Sequence, residues 1–327
     1  MAILRITSLS GRIFCPDAPA VDARLHLKNA LERLPDDAPV TCLIHGFRFH
    51  PADVRTDPHR LLFAPEQTTL CKRHPSWPCG LGFQEHGYDD GLCIAFAWEG
   101  FSLDRRRIIP RIARFSQIYA RAGGTAGRLA RLLNWIAELA PERRVDILAH
   151  SLGARVALQC LPRLEAPVLG RVILMGAAEY KTEVKAMMAD NRHNPGAEFF
   201  NITARENDMF DFLFEKFAPT RHRGDRALGS GLDEPMPNWL DMQIDHPETA
   251  HRLAYRGVRL DTSHSVIDHW GFYMRDGMFR LYQNLIRDRQ NWQLRDLHFE
   301  LERVAREPRW SRMMNRPGIF KSGRSGA

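Results

Sequence analysis

Val145-Asp146-Ile147-Leu148-Ala149-His150-Ser151-Leu152-Gly153-Ala154-Arg155-Val156-Ala157-Leu158 is the stretch that decides the fold. Its opening residues form the short apolar run of a buried strand, and the apolar residues from Leu152 onward suit the first turns of a helix. A chain that passes so abruptly from strand to helix needs small residues two before and two after the serine, and Ala149 and Gly153 stand there. Such a turn lifts the Ser151 hydroxyl clear of the sheet at a helix N-terminus, where backbone N–H groups and the helix dipole favour a developing negative charge. The plainer reading of Ser151 is a helix N-cap.

Working outward, similar apolar runs occur at Val40 to Ile44, Leu92 to Trp98, Val172 to Met175 and Phe199 to Thr203. Helical periodicity lies between them, over about 23–34, 112–122, 125–140, 152–161 and 182–190, with Thr125 as the expected N-cap after Gly123-Gly124 and Pro141 as a stop. Strands alternating with helices predict an α/β fold, a mostly parallel central sheet with helices on both faces. Residues 51–90 and 218–262 lack periodicity and read as insertions over the C-terminal sheet edge. One domain is therefore expected over 1–290, with a terminal helix and a weakly ordered basic tail over 291–327.

A second motif follows the strand Val40 to Ile44, at His45-Gly46-Phe47. Gly46 permits close backbone approach, which would leave the Phe47 N–H beside the Leu152 N–H as two donors for an oxyanion. The plain alternative is a strand-ending turn.

With these motifs in this order the chain resembles the α/β-hydrolase superfamily. More narrowly, it is similar to poorly characterised bacterial serine-hydrolase families with a His-Gly-Phe loop and an Ala-His-Ser-Leu-Gly nucleophile elbow. The resemblance covers about residues 35–290, and Ala149 stands where Gly is commoner. It implies an α/β-hydrolase fold and the chain order nucleophile, acid, histidine. The implied acid is Asp208, just past Phe199 to Thr203, with Asp211 and Glu206 as alternatives and a helix N-cap as the bland role. The implied base is His269, in a loop that leads into an apolar helix through Met278, Leu281, Tyr282, Leu285 and Ile286; His264 is the alternative. Ser151, Asp208 and His269 then form the catalytic set. Phe47 and Leu152 supply the oxyanion hole, and His45, Gly46 and Gly153 support it. The resemblance implies a Ser-His-Asp acyl-enzyme mechanism on a carboxylic ester or thioester, with neither cofactor nor metal. A hydrolase fold kept as a silent binding or scaffold protein is the competing class.

Composition narrows the other classes. The 327 residues are 44% apolar and 26% charged, which excludes wholly disordered and low-complexity chains. No apolar run approaches a membrane span, and Met1-Ala2-Ile3-Leu4-Arg5 opens no secretory signal, so a cytoplasmic protein with reduced cysteines is expected. The 46 basic residues against 39 acidic ones are scattered and carry no nucleic-acid motif, so no specific nucleic-acid partner is expected. His50, His59, Cys71, His74, Cys79 and His86 share one insertion but lack paired zinc-ligand spacing. The expected partner is a small ester or thioester with an apolar acyl or aryl part. The 51–90 insertion is expected to cover the site mouth through Leu61, Leu62, Phe63, Trp77, Leu81 and Phe83.

Overall fold

The computed structural model describes residues 2–66, 75–103, 111–261 and 265–301, without the side chains of 111–113. The first half runs β1 (Ile3–Leu9), β2 (Arg12–Phe14), α1 (Ala23–Leu31), β3 (Val40–Ile44), α2 (Trp77–Gly80), β4 (Leu92–Trp98), α3 (Arg111–Leu139), β5 (Val145–His150) and α4 (Leu152–Cys160). There follow β6 (Leu169–Met175), α5 (Lys181–Ala189), β7 (Glu198–Thr203), α6 (Asp208–Phe217), β8 (Trp239–Gln243), α7 (Pro247–Tyr255), α8 (Gly271–Met274), α9 (Met278–Arg287) and α10 (Leu294–Leu301).

The strands form one sheet in the order β2-β1-β4-β3-β5-β6-β7-β8. All pairs are parallel except β1 with β2. Parallel strands covered on both faces bury every residue, which is why β3, β4 and β5 read as continuous apolar runs. Alternate side chains enter two separate cores. Cys42, Ile44, Ile147, Ala149 and Phe199 pack toward α1, α3, α4 and α5, whereas Leu43, Leu148, Ile173 and Phe200 pack toward α9 and α10. The fold is thus of the α/β class, with helices on both faces of a mostly parallel sheet, an arrangement compatible with an α/β-hydrolase fold.

Register carries this architecture to the site. Ile44 pairs with Ala149, so β5 runs one residue past β3, and His45, which follows β3, comes level with His150, the last residue of β5. His150 in turn pairs with Met175 and Ile202 with Met175, aligning the ends of β6 and β7 with that of β5.

Several expectations change. The two helices expected on either side of Gly123-Gly124 are one, α3, and Thr125 is a buried interior residue whose hydroxyl accepts from Arg128 rather than an N-cap. Gly123 serves packing: a Cβ there would lie 3.3 Å from the Arg155 guanidinium of α4. The stretch 218–262 carries the edge strand β8 and α7. Within 51–90, Leu62, Phe63, Trp77, Leu81 and Phe83 are buried in the core on the α9 side, with Leu61 packed against it. At about 1.5–3 kcal/mol per fully buried large apolar side chain, that segment is part of the fold's stability rather than a flap. No helix among the described residues is long and apolar enough to cross a membrane. Cys71, His74, His264 and the tail over 302–327 lie outside the described residues.

Candidate active site

Ser151 closes β5 and precedes α4 with φ 54° and ψ −122°, a positive φ that a non-glycine residue holds only under constraint. Its backbone is fixed on both sides: the Ser151 N–H donates to the Met175 carbonyl at 2.9 Å, and the Ser151 carbonyl accepts from Ala178 at 3.1 Å. The side chain makes no capping bond to α4, so the N-cap role does not apply. The small residues around the turn have steric reasons. A Cβ on Gly153 would lie 2.5 Å from the His45 carbonyl, and one on Gly46 would lie 2.8 Å from Ser151 Cβ and 2.9 Å from the His150 carbonyl.

The loop after β3 is held by His45. Its Nδ1 donates to the Gly46 carbonyl at 2.8 Å and its Nε2 accepts the Trp98 N–H at 2.9 Å, while Trp98 Nε1 donates to the His45 carbonyl at 2.8 Å. The His45 and Trp98 rings stack at 5.6 Å. Burial lowers the His45 pKa to about 3, so the ring is neutral, as its donor–acceptor pattern requires. Neither the Phe47 N–H nor the Leu152 N–H donates to a backbone carbonyl among the described residues, which leaves both free for a bound oxygen.

His269 stands across the same cavity. Its Nδ1 lies 2.6 Å from Asn207 Oδ1, and Asn207 Nδ2 donates to Asp211 Oδ1 at 3.0 Å. The orientation of the chain of bonds is forced from its far end. A carboxylate only accepts, so the amide nitrogen must face Asp211, the amide oxygen must face His269, and Nδ1 must carry the proton. That leaves Nε2 with a free lone pair, the tautomer a general base needs. Burial, then the neighbouring His150 and Arg48, lowers the His269 pKa well below the ordinary 6.5. The ring stacks on Phe210 at 4.6 Å and meets His150, tilted, at 4.6 Å. His150 Nε2 donates to the His269 carbonyl at 3.0 Å, tying the elbow to the histidine loop, and burial brings the His150 pKa down to about 4.

The residue paired with His269 is therefore Asn207 and not Asp208, the residue that the resemblance implied. A short 3₁₀ turn over Arg205–Asn207 sets the phase in which α6 begins. Asn207 falls on the cavity side, and Asp208, one residue or about 100° further round, is fully buried and absent from the cavity wall. Of the alternatives, Glu206 is bound to Arg275, and Asp211 lies behind Asn207 as its hydrogen-bond acceptor. The Asp245 carboxylate accepts from the Arg205 and Glu206 N–H groups and so fixes this turn.

The cavity between these groups measures ≈ 300 Å³. Phe47, Phe115, Trp270 and the α6 side chains Phe210, Leu213, Phe214 and Phe217 line it, with Ser151, Asn207 and His269 in the wall. None of the six apolar residues expected from the 51–90 insertion lines it.

No family model and no curated protein matches the chain.

The geometry alone therefore describes the site: Ser151, His269, Phe47, Leu152, His45, Gly46 and Gly153 lie at the C-terminal ends of neighbouring strands, where open α/β sheets bind ligands. Sequence reasoning missed Asn207 as the partner of His269, and it missed α6 as the apolar wall. The second was visible in principle, because 210, 213, 214 and 217 share one helical face. Of the residues considered for zinc, His50 Nδ1 accepts from the Ala52 N–H and His59 Nε2 pairs with the Thr7 hydroxyl. Among the described residues no three His, Cys, Asp or Glu side chains gather as a metal site.

Proposed function

We propose that this chain is a serine hydrolase of the α/β-hydrolase type that cleaves a carboxylic ester or thioester through an acyl-enzyme. The observation that carries the proposal is Ser151, held at φ 54° at the end of β5 without a capping bond, on the wall of an apolar cavity shared with His269. In this reading His269 Nε2 takes the Ser151 proton as the hydroxyl oxygen attacks the acyl carbon, and the carbonyl oxygen becomes an oxyanion between the Phe47 and Leu152 N–H groups. The proton then passes to the leaving alcohol or thiol. Water, activated by the same nitrogen, releases the acid and restores Ser151. Asn207 keeps the His269 tautomer, as an asparagine does in Cys-His-Asn enzymes, with Asp211 holding Asn207. The apolar wall of Phe115, Phe210, Phe214 and Phe217 suits an acyl or aryl group and excludes water.

A neutral amide beside His269, where a carboxylate is usual, favours a second reading: a silent hydrolase fold that binds without turnover. Covalent labelling by a fluorophosphonate separates the two. The hydrolase reading expects Ser151 to be labelled in folded protein, and expects Ser151→Ala and His269→Ala to abolish both labelling and hydrolysis of p-nitrophenyl butyrate. An unlabelled, folded wild-type protein selects the silent reading.

A further inference from the structure

We propose that the preferred substrates carry an anionic group, a carboxylate or a phosphate, on the leaving alcohol or thiol, and that Arg48 binds it; this rests on the hydrolytic reading of Ser151 and His269. Arg48 follows Phe47 directly and lines the same cavity, yet it is exposed. Among the described residues its guanidinium makes neither a hydrogen bond nor an ion pair. Other arginines near the sheet ends are engaged: Arg121 on the Glu99 carbonyl, Arg155 on Glu179, Arg275 on Glu206. The Arg48 backbone is fixed at φ +81° by its N–H bond to the Gly100 carbonyl at 3.0 Å. A non-glycine residue in that region stores about 1–3 kcal/mol of strain, so the loop holds this side chain at the cavity against a local preference.

The wall is otherwise apolar or already committed. Its one carboxylate, Asp211, is buried, accepts from Asn207 and makes no ion pair with Arg48. An anion entering there meets a planar fork of donors that matches carboxylate or phosphate oxygens. The side on which it enters follows from proton traffic. The leaving group departs beside the base that protonates it, and the Arg48 charge acts on His269. The acyl part then occupies the phenylalanine-lined interior, and the anion stays at the exposed end.

Hexanoate esters of phenol, 3-carboxyphenol and 3-phosphonophenol test this, each kcat/KM being divided by the ester's own alkaline hydrolysis rate. The proposal expects a preference of about tenfold for an anionic ester over the neutral one at low salt, shrinking as salt screens it, and the two anionic arms tell carboxylate from phosphate. The ratio should fall to near one in Arg48→Gln and persist in part in Arg48→Lys. A ratio near one in the wild type, or one unchanged in Arg48→Gln, overturns it. Fluorophosphonate labelling of Ser151 is read in parallel. No label and no turnover would refute the hydrolytic reading instead, and binding of 3-hexanamidobenzoate against hexananilide, followed by tryptophan fluorescence, would then decide the Arg48 contact. Tighter carboxylate binding that is lost in Arg48→Gln upholds it; equal binding overturns it.

Discussion

Asn207→Asp is the substitution that asks most of the His269 site. In the wild type the ring's hydrogen-bond partner is a neutral amide oxygen at 2.6 Å, and its pKa lies well below 6.5 through burial, His150 and Arg48. A carboxylate at that contact, its charge centred about 4 Å from the ring's and in an effective dielectric near 20, favours the imidazolium by roughly 4 kcal/mol, or about three pKa units. Part of this is lost, because the new carboxylate would sit about 3 Å from Asp211 and two such groups share a proton. Asn207→Asp combined with Asp211→Asn removes that repulsion and keeps the relay, with the amide now donating from position 211. The sign follows from the role of the base. In the proposed mechanism His269 acts when neutral, so kcat/KM should hold above its pKa and fall as pH drops through it. Profiles with p-nitrophenyl butyrate from pH 4.5 to 9 should place the acid limb lowest in the wild type, higher in the single variant and highest in the double variant. Nuclear magnetic resonance titration of His269 should give the same order. An acid limb that stays put in both variants would refute the assignment of Asn207 as the partner of His269.

Other perturbations probe the framework. Ser151→Ala should lower turnover by about 10⁴-fold or more, whereas Ser151→Gly should abolish it and raise the unfolding free energy by about 1–2 kcal/mol in urea titrations, since glycine relieves the positive φ. Gly46→Ala should inactivate the protein without unfolding it, because its Cβ would press on Ser151 and the His150 carbonyl; activity above a tenth of wild type would contradict this. Arg155→Met should cost about 3–5 kcal/mol in the same titrations, since it strands the fully buried Glu179, which Arg155 and Tyr119 otherwise satisfy. Finally, His45, His59 and His150 are buried and neutral with pKa values lowered to about 3, 3 and 4. The unfolded chain binds their protons first, so stability is intact above pH 6.5 and should fall between there and about pH 4, at up to about 4 kcal/mol per pH unit for the three together. A melting temperature flat across that window would refute it.

How far the sequence disclosed these features depended on local chemistry. Five of the strands were legible because each contains a short apolar run, a consequence of burial on both faces. The outer strands were not: β1, next to the edge, contains Arg5, Thr7 and Ser8, and the edge strand β8 contains Asp241, whose carboxylate accepts from Asn201 and Trp239. Gly123-Gly124 looked like a break because glycine is a poor helix former, but the helix runs on through both, with Gly123 close to Arg155 of α4. Ser151, Gly153 and Gly46 could be picked out because tight turns restrict residue type. Asn207 could not, since Glu206, Asn207 and Asp208 are all polar and only the phase of the turn before α6 decides which one faces His269.

The constrained backbone of Ser151 also bears on the history of the chain. If glycine there makes a more stable protein, random drift in a lineage that needed only the folded shape would tend to discard the serine, and selection for thermal robustness alone would remove it faster. A serine kept in a conformation that disfavours its own residue type is what continued selection for hydroxyl chemistry would leave behind.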